Sequence, residues 1–423
     1  MLLVFLVQIQ CNSILGNNKD LMIALLGIFV LLLLAFLIST DKKRIPVKMV
    51  SIAFALQVLF ALIVLYIPAG KTALQAVSNG VTYVTDYGKD GLSFLFGGLA
   101  TGSIGFVFAV NVLGIIIFFS ALISMLYHVG IMQKVVNIFG GALQRILGTG
   151  RAESLSAGAN IFVGMSEVPL VIKPYLKSMD DSQLFAVMTC GLASVAGSTM
   201  VGYAAVGVDL NYLIAAAFMS APAGLLMSKI IMPPSENKLS ANEITSVEIP
   251  KATNVVEALA DGAMSGLRMA VTIGATLIAF ISVIALFNGL LGDIGEFFGI
   301  HGLTFQMLIG YLFAPVALLL GIPMSEAVTA GSLIGQKVVM NEFVAFIDMI
   351  KVQDTLSPHS LAVVTFALCG FANITTLAIL IGGMGSLIPE RRPFIAKYGI
   401  RAVAAGVLAN LMSAAIVSII LLL

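Results

Sequence analysis

The feature that most constrains this chain is a recurrent run of apolar residues long enough to cross a lipid bilayer. Six such runs are clean: 21–38, 49–67, 106–128, 269–291, 361–383 and 402–423. Two more, 184–208 and 212–232, are richer in Gly, Ala and Ser but almost free of charge. A hydrocarbon core about 30 Å thick needs about 20 such residues per helix. Of the 423 residues 59% are hydrophobic and 10% charged, and the mean hydropathy is +1.07. A soluble domain carries about 25% charged residues, so this composition excludes a soluble enzyme. An all-α membrane protein with eight transmembrane helices is expected. The first eleven residues, MLLVFLVQIQC, lack a basic start and are too short to cross. They read as neither signal peptide nor helix.

Lys and Arg set the orientation. The first turn between spans holds Lys42, Lys43, Arg44 and Lys48 and should be cytoplasmic. Alternating from there assigns 17 basic residues to the inner side and five to the outer, and places both termini on the non-cytoplasmic face of the cell (inner) membrane. The formal net charge of +1 carries no footprint for nucleic acid. The three cysteines and three histidines are scattered, which argues against a disulfide framework or a metal centre. The chain has no Walker signature that would couple it to ATP.

Between the spans, 233–254 is a polar stretch that reads as a cytoplasmic linker. Residues 131–148 read as an amphipathic interfacial helix, with 303–320 as its counterpart, kinked at Pro315. The Gly- and Ser-rich stretch 70–105 yields no structural assignment. It belongs to an N-terminal segment, 1–105, that holds the first two spans.

Two segments are too polar for a span and too apolar for a loop, 151–176 and 323–350. Each has two short apolar arms around a polar centre that ends in a glutamate, Glu167 or Glu342. Arms of about ten residues cannot cross singly, but two can enter and return as a re-entrant helical hairpin. A Gly-broken span follows each hairpin, and both Glu167 to Ser198 and Glu342 to Asn373 are 31 residues. The order of elements in 106–232 recurs in 255–423 with three crossings per unit, so the second copy is upside down. Inverted repeats with broken helices at mid-membrane are a construction of secondary transporters.

A carboxylate at mid-bilayer faces a cavity or a partner. Glu167 and Glu342 therefore line a wet central cavity, cap a half-helix, or pair with a lysine such as Lys337. Asn160, Ser194 and Ser198 offer hard oxygen donors near helix breaks, where freed carbonyls can hold a small cation. Asn373, Thr375 and Thr376 are interhelical hydrogen-bonders or ligands of a polar solute. Phe371 is core packing or a stacking surface.

These motifs resemble the concentrative nucleoside transporters. ANIFVGMSEVPL is similar to the family's first hairpin, whose tip typically reads GQTE or GQSE. GSLIGQKVVMNEFVAF resembles its second hairpin, TFALCGFANITTLAILIGG the helix that follows, and GSLIPERR a later family ending. The resemblance runs from about residue 20 to the C-terminus. It implies a homotrimer that carries one nucleoside per protomer into the cell by alternating access. It also implies that Gly164, Met165, Ser166, Glu167 and Thr199 contact the base. Glu342, Asn373 and Thr376 would hold the ribose, with Phe371 nearby. Asn160, Val163, Ser194 and Ser198 would bind a coupling Na⁺, with H⁺ the alternative. The sequence departs from the family at Met165, where many relatives have Gln, at Thr376, commonly Ser, and at Val195, a hydroxyl in some. Met165 points to purine nucleosides. The rivals are an uncoupled channel and a membrane enzyme using the two glutamates as an acid/base pair.

Overall fold

The computed structural model describes residues 2–101, 103, 105–165, 167–234 and 252–423, with side chains described from residue 19 onward except those of Leu170 and Pro174. Among the described residues every regular element is helical. Helix α1 (Leu2–Leu37) is followed by α2 (Val47–Leu65) and α3 (Pro68–Phe96). The first half continues with α4 (Phe108–Asn111), α5 (Leu113–His128), α6 (Ile131–Leu147), α7 (Arg151–Ala159), α8 (Val168–Val171), α9 (Lys173–Leu176), α10 (Asp181–Ala193), α11 (Gly197–Ala205) and α12 (Leu210–Ile231). The second comprises α13 (Val255–Phe297), α14 (Phe305–Leu319), α15 (Ala327–Val339), α16 (Glu342–Val352), α17 (Pro358–Leu368), α18 (Thr376–Leu387) and α19 (Arg392–Leu422).

Among the described residues seven helical stretches, counting α4–α5 and α10–α11 each as one, are long and apolar enough to span a membrane. The expected Gly-broken span at 361–383 is two short helices, α17 and α18, parted at Cys369–Thr375. Residues 1–11 were expected to be non-helical, and here the structure corrects the sequence reading. Helix α1 starts at Leu2, because no proline interrupts the run into the first span. The unassigned stretch 70–105 is mostly α3, and the two stretches expected to lie in the interface are helical, as α6 and α14, the latter running through Pro315. Most of the linker, 235–251, lies outside the described residues.

Burial sorts the helices by role. The α10–α11 stretch and α12 are 94% buried in their most apolar windows, whereas α13 is 17% buried. Helices α10 and α12 approach closely because Gly224 faces Cys190, whose Cα would lie 3.0 Å from any added methyl. Small residues allow such backbone approach in membranes. In α13, Gly262 and Gly266 form a G-x-x-x-G face against α5, with Ala121 Cα and Ile117 Cα 2.7 and 2.8 Å from their missing methyls. The exposed apolar side of α13, including Ile278 and Leu286, is the kind of surface lipid or neighbouring protein covers.

The same device joins helices in both halves. Gly158 of α7 crosses α6 at Gly140, and Gly331 of α15 crosses α14 at Ala314 and Gly310. Helix α10 packs on α12 as α17 packs on α19. One buried ion pair, Lys229–Glu153 at 2.6 Å, ties α12 to α7, and Ser182 Oγ accepts from the same ammonium at 3.1 Å. This lysine lies inside an apolar run, and its partner lies in the first hairpin sequence.

Candidate functional site

Both long helices that break do so beside a glutamate-bearing segment. Helix α10 ends at Ala193 and α11 resumes at Gly197, while α17 ends at Leu368 and α18 starts at Thr376. A break frees carbonyls and N–H groups that intrahelical bonds would otherwise consume. Here they are stitched to one another. Phe371 N–H donates to the Ser194 carbonyl at 3.1 Å, and Gly197 N–H donates to the Phe162 carbonyl at 3.0 Å.

A cavity of about 510 Å³ opens between these breaks, the two polar hairpin segments and α13. Of the nine residues expected to contact substrate, eight line it: Gly164, Met165, Glu167, Thr199, Glu342, Phe371, Asn373 and Thr376. The ninth, Ser166, lies outside the described residues. A second cavity of about 230 Å³ shares Glu167 and Ser265 with the first and continues past Ser198, Tyr127 and Asp261.

Glu342 is 4% exposed, and its carboxylate is held by two neutral donors. Tyr203 Oη donates to Oε1 at 2.9 Å and Asn373 Nδ2 donates to Oε2 at 3.2 Å. An ionised carboxylate accepts about four hydrogen bonds, so about two acceptor directions remain for a ligand. Asn373 is oriented in turn by Thr376, whose N–H and Oγ1 lie 2.9 and 2.6 Å from Asn373 Oδ1. Thr376 Oγ1 also reaches the Phe371 carbonyl at 2.6 Å. Glu342 makes no salt bridge with Lys337, whose ammonium donates to the Ala367 carbonyl and Asn410 Oδ1. The lysine pairing weighed for Glu342 is thus replaced by a tyrosine and an amide.

Glu167 is partly exposed where the two cavities meet and makes no salt bridge among the described residues. Met165 is buried against Gly191, and Thr199 Oγ1 lies 3.5 Å from Met269 Sδ.

The four expected cation ligands fall on the 160–163 turn and the 194–198 break, which the Gly197–Phe162 bond holds together. They do not line one cavity. Val163 and Ser198 face the smaller one, and Asn160 faces a narrow crevice beside Met165 and Gly191. Asn160 is 1% exposed and donates through Nδ2 to the Ser156 carbonyl at 2.8 Å, yet its Oδ1 finds no donor among the described residues. A buried acceptor left bare is costly unless something binds it. An all-oxygen set with one orphan acceptor fits a small hard cation.

Two features escaped the sequence reading. Tyr203 sits 139 residues from Glu342 within an apolar run. Ser265, Arg268, Thr272 and Thr276 put a polar stripe of α13 on the cavity wall. Their spacing of three and four residues was the available signal.

Comparison with known proteins decides the family. Residues 26–99 and 212–418 match the N- and C-terminal family models described as Na⁺ dependent nucleoside transporter, and 109–209 match one described as Gate, nucleoside recognition. The chain belongs to the concentrative, Na⁺-dependent nucleoside transporter family. This is a transporter family and not one of enzymes, and the chain is a multi-pass membrane protein within it. The nucleoside permease NupC of Helicobacter pylori is 48% identical, over 93% of this chain and 96% of that protein. Sodium/nucleoside cotransporter 1 of Homo sapiens is 34% identical, over 96% of this chain and 64% of the human protein. CNTnw in an inward-facing substrate-bound state superposes with a TM-score of 0.89 at 48% identity, covering 95% and 98% of the two chains. An outward-facing CNTnw variant gives 0.91 at 47%, covering 96% and 98%.

Proposed function

We propose that this nucleoside transporter imports its substrate across the inner membrane by alternating access, in symport with Na⁺. The observation that carries the reading is the single cavity lined by eight of the nine expected substrate residues, with Glu342 oriented by Tyr203 and Asn373. A ribose diol offers two O–H donors, and the carboxylate offers charged acceptors to match. Base contacts fall to Gly164, Met165, Ser166, Glu167 and Thr199, and ribose contacts to Glu342, Asn373 and Thr376. Phe371 lies alongside. The bare Asn160 Oδ1 and the Ser194–Ser198 break supply the Na⁺ site, with Val163 adding a carbonyl. The sodium-named human relative favours Na⁺ over H⁺.

In the same reading, 106–232 and 255–423 are inverted copies joined by the cytoplasmic linker 233–254, with re-entrant hairpins at 151–176 and 323–350. The paired glycine crossings favour this. Both termini lie on the non-cytoplasmic side, and three protomers associate. Met165 tilts selection towards purine nucleosides.

Uptake into proteoliposomes across a nucleoside panel, with and without a Na⁺ gradient, tests the proposal. Import driven by the gradient and trans-stimulated exchange of labelled adenosine are expected. Uptake that follows a pH gradient and ignores Na⁺ would transfer the coupling to a protonating glutamate. Flux without trans-stimulation would make the protein a channel. Asn160→Ala or Ser194→Ala should weaken the Na⁺ dependence while leaving binding at saturating Na⁺ less affected.

A further inference from the structure

Lys337, near the end of α15, is 1% exposed. An ammonium at such depth is costly and is expected to have a carboxylate partner. Among the described residues it has none within ion-pairing distance; it donates instead to the Ala367 carbonyl at 3.0 Å and to Asn410 Oδ1 at 2.7 Å. Asn410 Nδ2 donates to the carbonyls of Ala193 at 2.6 Å and Cys369 at 2.9 Å. Two carbonyls on that side fix the amide so that its oxygen faces Lys337. Ala193 ends α10, Ala367 belongs to the last turn of α17, and Cys369 follows it. One ammonium and one amide therefore satisfy carbonyls that both helix breaks set free.

The position of Lys337 is informative. It lies five residues before Glu342, and five residues before Glu167 is Phe162, between Asn160 and Val163. The ammonium leaves the second hairpin at the place that, in the first, carries the ligands assigned to the exchangeable ion. Carbonyls at helix breaks are cation ligands in general. We propose that Lys337 is a resident cation: its ammonium does at the α17 break what bound Na⁺ does at the α10 break, and through Asn410 it positions Ala193 beside the ion ligand Ser194. Lys337 lines neither cavity, so it is a positioning residue and touches no substrate. The inference rests on the sodium reading of the α10 break.

The test compares wild type, Lys337→Met, Asn410→Leu and the double variant in proteoliposomes. Each is read by the Na⁺ concentration for half-maximal uptake and by the nucleoside KM at saturating Na⁺. For residues acting as one unit, each single variant should need about tenfold more Na⁺, KM should move by less than about threefold, and the double variant should be no worse than the worse single one. Lys337→Arg, which keeps the charge and donors, should recover part of the loss. A purely structural role would lower thermal stability without moving the Na⁺ requirement. Should Lys337→Met fail to fold, Asn410→Asp keeps an acceptor for Lys337 and removes the donors to Ala193 and Cys369. It should show the same Na⁺ shift. Wild-type half-saturation in the variants that fold, or additive effects in the double variant, would overturn the inference alone. Wild-type uptake indifferent to Na⁺ would remove the sodium reading and this inference together.

Discussion

Replacing Glu342 by Gln isolates the proposed ribose end of the site. The change keeps the volume but turns one carboxylate oxygen into an NH₂ group. In the native site both oxygens already accept, one from Tyr203 Oη at 2.9 Å and one from Asn373 Nδ2 at 3.2 Å. Asn373 cannot turn round, because Thr375 and Thr376 donate to its Oδ1. The new amide must therefore give its oxygen to Asn373 and point its NH₂ at Tyr203, which can rotate its hydroxyl to accept. The cradle survives, and what is lost is the charged acceptor offered to the diol. Losing charge-assisted hydrogen bonds to two hydroxyls should cost about 2–4 kcal/mol, or about 30- to 1000-fold in affinity. The informative assay is equilibrium binding of a ribonucleoside beside its 2′,3′-dideoxy analogue. Wild type should discriminate strongly between them, and Glu342→Gln should bind both alike at the analogue's affinity. If Glu342→Gln kept the wild-type discrimination, Glu342 would not be the ribose ligand.

Three further outcomes follow from the packing and the cavity. Gly262→Leu forces side-chain atoms into α5, where even a methyl would lie 2.7 Å from Ala121 Cα; it should lower stability by about 1–3 kcal/mol or more, seen as a reduced melting temperature in detergent. Lys229→Met leaves the buried Glu153 carboxylate without its ion-pair partner and should cost about 3–5 kcal/mol, whereas Lys229→Met with Glu153→Leu should melt closer to wild type. Met165→Gln adds a donor and an acceptor to the proposed base pocket and should raise uridine over adenosine in competition uptake by about two- to tenfold; an unchanged ratio would detach base selection from residue 165.

What could be read from sequence divides by how local its signal is. Glu342 and Asn373 were legible because a carboxylate and an amide inside apolar sequence have few innocent explanations. The breaks at 194–196 and 369–375 were legible because glycines and polar residues cluster there. Tyr203 was not, since one tyrosine in an apolar run looks like packing until Glu342 is brought against it. The polar stripe of α13 was hidden by averaging, because Ser265, Arg268, Thr272 and Thr276 each sit among apolar neighbours that dominate mean hydropathy. Helix α3 was illegible for a different reason. Its Gly- and Ser-rich sequence has weak helix propensity, and tertiary contacts hold it, with Gly88 against Phe118 and Leu92 over Gly114.

In the proposed reading, the cross-links between the breaks give nucleoside and cation a shared framework. From Glu342 a hydrogen-bonded chain runs through Asn373 to the Thr376 N–H, from Thr376 Oγ1 to the Phe371 carbonyl, and from Phe371 N–H to the Ser194 carbonyl. Every link is buried or part-buried, so water competes little for its donors and acceptors. A nucleoside that tightens Glu342 and Asn373 thereby favours one placement of the α17 break, and that placement fixes where the Ser194 carbonyl points. A cation that selects the same carbonyl direction favours the same placement. Under linkage the two effects are one quantity: whatever factor Na⁺ adds to nucleoside affinity, nucleoside must add to Na⁺ affinity. Symport then needs no direct contact between the two ligands. It needs a joint that both prefer in one geometry, and Phe371–Ser194 is such a joint.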